Sequence, residues 1–407
     1  MTVQVQTTSN LTGALRTRYI ADYVKAAELM RLYDQFSMPF EANLEKDGPL
    51  AQGSSVTLNF ISDLQPVETA ISQLVDVTPV TQTDTTITIS PTSRINAIQV
   101  SEALMLQAYT NYGMQRFEAM GKNQMESVDL IAKNTALQAS NVMRGGNVAA
   151  RSSLDAGGTG HNLTDDLLSD AQADLETLKA PTVLDGGMAS WMALMHPYAY
   201  KDVRTGGNVI AAAQYQDKSL IFNFELGKLG PFKLLSSAWS KMFWSAGAAN
   251  ASAIATTLNG DVTALATSII VAANTNIDVG DMLTIGTLET TNTHYPLNER
   301  VKVASVSGTT IGIIGEAANG GLRFAHASGE TVSNADSVCP VLLGSPASMA
   351  KIFHQGQDVG EFGSVVGPKK QGLADQWESL AWKWYGSYGV VSQNRLLRLE
   401  VSISREA

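Results

Sequence analysis

The sequence predicts an α+β chain of several domains with a small all-β module set into it. Three observations carry this: a long run of apolar residues at helical spacing, β-branched runs before it, and a stretch of short strands that interrupts an α/β pattern in the second half. At 407 residues the chain is long enough for two or three domains.

The elements follow in order. Tyr19 to Phe36 reads as a helix, with Ile20, Tyr23, Val24, Leu29 and Tyr33 at helical spacing, and Gly48-Pro49 breaks it. From Ser54 to Val100 the pattern is strand: Val56, Leu58 and Phe60 alternate with Thr57 and Asn59, and Thr85 to Ile89 is β-branched throughout. This predicts an extended two-stranded arm. An isolated ribbon is marginal in water, so the arm needs a partner surface. Met114, Phe117, Gly121, Met125, Val128, Ala132, Thr135, Ala139 and Val142 then step by three and four, a single amphipathic helix that the pattern ends at Gly145-Gly146.

Gly157-Gly158-Thr159-Gly160 links to a second helix, opened by Asn162 to Asp166 and striped by Leu168, Ala171, Leu175 and Leu178. Trp191 to Met195 reads as a buried strand, Ala199 to Arg204 as a helix, and Leu220 to Leu235 as short strands. Between about Ala251 and Ser333 short β-branched runs recur among Gly, Asn and Asp turns, which predicts a small barrel or sandwich. After it come Val338 to Leu343, a predicted helix over Ser345 to Phe353, a glycine-rich loop with Gly360, Gly363, Gly367 and Gly372, and a last strand. In that strand Leu397, Leu399, Val401 and Ile403 alternate with Arg398, Glu400, Ser402 and Ser404.

Composition narrows the function. Charged residues are 16% of the chain, against roughly 25% in an average soluble domain, which suits a subunit that hides surface against neighbours. Lys and Arg number 28 against 38 Asp and Glu, a net charge of −10. Phosphate-gripping domains are usually basic, so direct nucleic-acid binding is not the expected task. Cys339 is alone, so no intrachain disulfide forms, which fits a reducing compartment. No apolar run approaches the roughly 20 residues of a membrane span, and Met1 to Gln6 lacks the pattern of a signal peptide.

Catalytic patterns are missing. His161, His196, His294, His326 and His354 are scattered, and no HExxH, CxxC or Gly-x-Ser-x-Gly occurs. His196, with Asp202 nearby, is weighed as a base; a packed histidine bonded to backbone at a strand end is the commoner use. The aromatics Trp377, Trp382, Trp384 and Tyr385 serve sheet packing sooner than ligand stacking, and Asp261 and Asp281 serve as turn formers sooner than calcium ligands. No cofactor and no metal are expected.

The order of elements resembles the Hong Kong-type capsid fold of tailed bacteriophages. Three local runs are similar to one podovirus-type family of major capsid proteins: Trp191 to Arg204, Val341 to Gly344, and Trp382 to Gly386 leading into Asn394 to Val401. The resemblance implies an N-terminal arm at 1–45, an extended β arm at 46–100, and a peripheral domain with a spine helix at 101–160 and 360–407. It also implies an axial domain at 161–250 and 334–359, with the β module inserted at 251–333.

The implied function is that of a non-enzymatic subunit, assembled as pentamers and hexamers into an icosahedral shell. Its implied location is the virion, built in the bacterial cytoplasm around double-stranded DNA that it binds without sequence preference. Implied partners are copies of itself, a separate scaffolding protein, a portal protein and, as further candidates, decoration proteins; no membrane is implied. The separate scaffold follows because the arm begins soon after Gly48-Pro49. The family's lysine–asparagine cross-link is not expected, since no lysine lies between Lys46 and Lys122. A β-rich surface adhesin is the alternative.

One contact is expected in detail. Between Asp47 and Ser93 the arm carries Asp63, Glu68, Asp76 and Asp84 and no cation. Lys369 and Lys370 in the glycine loop are the candidate seat for it on a neighbouring copy. The inserted module is expected to be removable without unfolding the rest.

Overall fold

In the computed structural model, residues 34, 37–41, 55–61, 64, 68, 81–82, 84–101, 103, 112–185, 188–206, 228–237, 239–248, 253–289, 295–345, 348–353, 364–372 and 376–406 are described. The helix expected over Tyr19 to Phe36 lies outside them apart from Asp34.

The chain runs through β1 (Ser37–Glu41), β2 (Val56–Ile61), β3 (Asp84–Ile89) and β4 (Thr92–Ser101) into helix α1 (Tyr112–Ala136). Next come β5 (Val142–Arg144), α2 (Asp165–Thr177), β6 (Val183–Asp185), β7 (Met188–Met195), α3 (Pro197–Arg204), β8 (Lys228–Leu229) and β9 (Phe232–Ser236). The strands β10 (Ala255–Thr257), β11 (Ser268–Ile270), β12 (Met282–Ile285), β13 (Glu299–Ser307), β14 (Thr310–Ile314) and β15 (Thr331–Ser333) follow. Last are β16 (Val338–Gly344), β17 (Met349–Phe353), β18 (Ser364–Gln371), β19 (Trp377–Val390) and β20 (Leu396–Ser402). Two compact units result, one from Met1–Ala132 with Met349–Val391, the other from Lys133–Ser348 with Ser392–Ala407.

The first unit is built on β19. Its even-numbered residues from Glu378 to Tyr388, among them Leu380, Trp382 and Trp384, are buried, while the odd-numbered ones are half-buried from Ser379 to Gly389. The strand pairs with β4 from Trp377 opposite Ser101 to Gly386 opposite Thr92, and also with β17 and β18. Trp382 donates its Nε1–H to Asn123 of α1 at 2.9 Å, and Arg116 of α1 lies 3.8 Å from Glu378. The β2–β3 hairpin does find a surface within its own chain: Val56, Leu58 and Ile89 pack on Ala350 and Ile352 of β17. Its other face, with Thr57, Asn59, Thr86 and Thr88, is exposed. Asp34 accepts a hydrogen bond from Tyr388 at 2.7 Å and pairs with buried Lys351 at 3.2 Å, beside the parallel pairing of β1 with β17.

Three expectations are corrected here. The long helix stops at Ala136, where Gln138 and Ala139 tighten into bonds to the third residue back. Val142, the last member of its apolar stripe, belongs to β5 and pairs with Arg398 of β20. Within the helix expected over Ser345 to Phe353, Met349 to Phe353 is strand β17, with ladder partners on both sides. In each case pairing with a distant strand outweighs local preference. Likewise Lys369 and Lys370 lie on a strand and not in a loop; Gly367-Pro368 marks the bulge in it between Val366 and Lys369.

The second unit contains a sheet in the order β5-β20-β16-β7-β9-β8, with β6 paired to β7. Leu168, Ala171 and Leu175 of α2, with Ala199 and Val203 of α3, bury against Trp191, Phe232, Val341 and Leu399. Each fully buried Leu, Val or Phe among these contributes roughly 1.5–3 kcal/mol. Thr164 caps α2 by accepting from Leu167 N at 3.2 Å, and Asp165 and Asp166 favour its N-terminal end. The remaining six strands are ordered β10-β15-β12-β13-β14-β11. A bridge from Leu258 to Val271 joins the first to the last, so they close as a barrel around Ile269, Leu283, Val301, Ile311 and Val332.

Candidate functional site

Two of the four arm carboxylates predicted as contacts, Asp63 and Asp76, lie outside the described residues. Glu68 is exposed, and Asp84 opens β3 opposite Ile61. Lys369 and Lys370 are exposed on β18, opposite Ser379 and Glu378 of β19. Asp84 and the lysines thus stand on different sheets.

The catalytic candidates have structural uses. His196 is the N-cap of α3, its Nδ1 accepting from Tyr198 N at 3.3 Å, and burial lowers its imidazole to about 4. Asp202 is committed to Ser404, whose backbone N–H it accepts at 2.9 Å. His161 Nδ1 accepts from Asp155 N at 2.9 Å. Burial raises the Cys339 thiol to about 12, far from a reactive thiolate. Asp281 accepts from Asp278 N at 2.8 Å within a local turn, whereas Asp261 accepts from Ser328 N at 2.8 Å and so ties together segments 67 residues apart. Among the described residues no group of three or more His, Cys, Asp or Glu could hold a metal, and no helix is long and apolar enough to cross a membrane.

A buried ion network is what sequence reasoning missed. Glu400, fully buried in β20, receives Arg144 at 3.0 Å, Arg398 at 3.1 Å, and Arg151. Burial alone would raise the Glu400 carboxyl, yet Arg151, Arg398 and Arg144 hold it below its ordinary range. Arg151 also lies 3.7 Å over the Phe243 ring. Lys241 pairs with Glu289, which further accepts from Trp244 N at 2.8 Å. Arg300 of β13 pairs with Glu406 at 2.5 Å. Within the barrel, His326 bridges Glu299 at 2.8 Å and Glu330 at 2.7 Å; burial opposes its charge, but these two partners raise its imidazole above the ordinary value. The alternation of Arg398 and Glu400 was legible; that both faces of β20 are buried was not, since every one of its residues is covered.

No family model matches this sequence, and no curated protein matches it. Solved structures do. The capsid of Ralstonia phage GP4 aligns over 90% of this chain and 87% of its own at 9% identity, with a TM-score of 0.56. The cyanophage Pam1 capsid asymmetric unit aligns over 90% and 88% at 11% identity and a TM-score of 0.52. The fold is that of a phage capsid subunit. The capsid of cyanophage P-SCSP1u agrees, over 92% of this chain and 89% of that one, at 9% identity and a TM-score of 0.51. The capsid fold expected from the order of elements is therefore the one observed, at a level of identity where single residues are not transferable. Within this capsid fold the ion network is structural, joining the barrel to the sheet that carries β20.

Proposed function

We propose that this chain is the major capsid protein of a tailed bacteriophage, a non-enzymatic subunit that assembles as pentamers and hexamers into an icosahedral shell around double-stranded DNA. The observation that carries it is the match to three phage capsids over about nine-tenths of each chain. The acidic balance supports it, because a wall of net charge −10 adds little salt-dependent adhesion to packaged DNA. In this reading residues 101–160 and 360–407 form the peripheral domain, 161–250 and 334–359 the axial domain and 251–333 the insert, whereas the two compact units divide after Ala132, Ser348 and Val391. A separate scaffolding protein and a portal protein complete the assembly, which takes place in the host cytoplasm.

The arm laps a neighbouring copy in this reading. Its carboxylates, Asp63, Glu68, Asp76 and Asp84, meet that copy's Lys369 and Lys370, which are exposed. Exposed ion pairs contribute only roughly 0–1 kcal/mol singly, so their effect comes from repetition around the shell.

Electron microscopy and sedimentation of the purified protein test both statements. Rings or closed shells are expected, giving one band near 43.4 kDa after boiling in denaturant. Monomers and amorphous aggregate at every salt concentration would reject the shell. With Lys369→Glu and Lys370→Glu, shells should dissociate at lower temperature while subunit circular dichroism is unchanged. Unaltered shell stability in that variant removes the lysines from the contact.

A further inference from the structure

Lys351 of β17 is 1% exposed and ranks with the largest fully buried side chains. It stands opposite Pro39 of β1 on one side and Tyr388 of β19 on the other, so two ladders fix its backbone. Its Nζ lies 3.2 Å from Oδ1 of Asp34 and 3.3 Å from Oδ2. These near-equal distances set the nitrogen against the carboxyl carbon that the two oxygens share. Tyr388 donates its hydroxyl to the same Oδ1 at 2.7 Å. A second carboxylate is at hand: buried Asp129 of α1 accepts the backbone N–H of Asp34 at 3.3 Å.

These are the parts of an amide-forming site. Keeping two opposite charges out of water is costly. Passing one proton from Lys351 to Asp34 removes both charges and leaves a neutral amine facing a neutral acid. Reacting atoms held roughly 3–3.5 Å apart already sit in a near-attack arrangement, which turns a slow bimolecular step into a unimolecular one. The buried pair of Lys241 with Glu289 is different, because a cation, Arg151, bonds the Glu289 carbonyl at 3.2 Å.

We propose that Lys351 and Asp34 join by an isopeptide bond within one chain. Nζ of the neutral Lys351 attacks Cγ of the protonated Asp34, and Tyr388 stabilises the negative charge that develops on Oδ1. Asp129 takes the proton shed by Nζ and returns it to Oδ2. The Cγ–Oδ2 bond then breaks and Oδ2 leaves as water. One ammonium and one carboxylate become one amide and one water, so atoms and charge balance without an oxidant or cofactor. The bond ties together residues 317 apart in a chain whose single cysteine allows no internal disulfide. It lies inside one subunit, so it is independent of the shell reading and leaves the single denatured band unchanged.

Peptide mapping of the purified full chain, denatured and cut with trypsin, tests the bond. A branched peptide holding both Asp34 and Lys351 is expected, lighter by one water than the sum of its parts. Trypsin should cut after Lys241 in the same digest but not after Lys351. Lys351→Arg keeps the charge without the amine and should give only unbranched peptides. Asp129→Asn should keep its circular dichroism and link more slowly by roughly a hundredfold or more, the usual contribution of a positioned acid–base group. Ordinary cleavage after Lys351 in the wild type, with the Asp34 peptide at its sequence mass, overturns the bond whether or not shells form. Linkage as fast in Asp129→Asn as in the wild type overturns the part given to Asp129.

Discussion

Asp336 sits at the neck of the barrel, where the chain returns to β16. Its N–H donates to the Ala248 carbonyl at 3.0 Å, its carbonyl accepts from Ala246 and Gly247, and its side chain accepts from Ala156 N at 2.7 Å. Burial, with Glu406 and Asp155 nearby, raises the carboxyl from 3.8 to about 6. The folded state therefore binds this proton more readily than the unfolded state. Stability from this group is present at low pH, falls as pH rises from 3.8 to about 6, and levels off above that. Asp336→Asn should lift the loss, which is of the order of 3 kcal/mol at 1.36 kcal/mol per pH unit. Thermal unfolding from pH 4 to 7 should show the Asn variant gaining on the wild type up to about pH 6 and not beyond. A constant difference would refute it. Nothing in the polar run Ser333 to Ser337 marks Asp336 out, because its burial comes from residues 156 and 246–248, far away in sequence.

Strand β19 shows what was legible in an element and what was not. Its aromatics announced a packed sheet, and the buried even-numbered face is the result. The partners were not legible: β17 reads Met-Ala-Lys-Ile-Phe with no alternation, and Gly367-Pro368 interrupts β18 after Val365-Val366. Gly386 lies where three strands meet, opposite Phe353 of β17 and Thr92 of β4. A Cβ there would fall 2.8 Å from the Ile352 carbonyl oxygen and against the Trp384 ring. Neither neighbour has room to retreat, since Trp384 is fully buried and Ile352 is in a ladder. Gly386→Ala should cost roughly 1–3 kcal/mol, as overpacking does, and lower the unfolding temperature by several degrees. Gly157→Ala, whose nearest new contact is an ordinary 3.5 Å, serves as the control. Equal melting of the two variants would show that the sheet yields.

At the scale of the molecule, the barrel has its own core but is not electrically separate. Deleting 251–333 removes Glu289 and Arg300, leaving Lys241, 6% exposed, and Glu406 without them. Stranding one member of a buried pair typically costs about 3–5 kcal/mol, whereas replacing the charge by an apolar group is often neutral. A short Gly-Ser bridge in place of 251–333 should therefore give little soluble protein, and the same bridge with Lys241→Met and Glu406→Gln should restore it. Equal yields from the two deletions would mean the ion pairs do not fasten the barrel. Composition revealed the module, whereas the pairs that tie it down join residues such as 241 and 289 that no local pattern connects.

Closure of the barrel has a practical corollary at the β13–β14 turn. Gly308 has a φ of 59° and no atom within 4 Å of the place its side chain would occupy, while Thr309 is already anchored by Val271 N at 2.9 Å. A foreign peptide spliced between Gly308 and Thr309 would leave the ladder registers on either side intact. On the proposed shell each subunit would carry it once, turning the particle into a dense, evenly spaced antigen array.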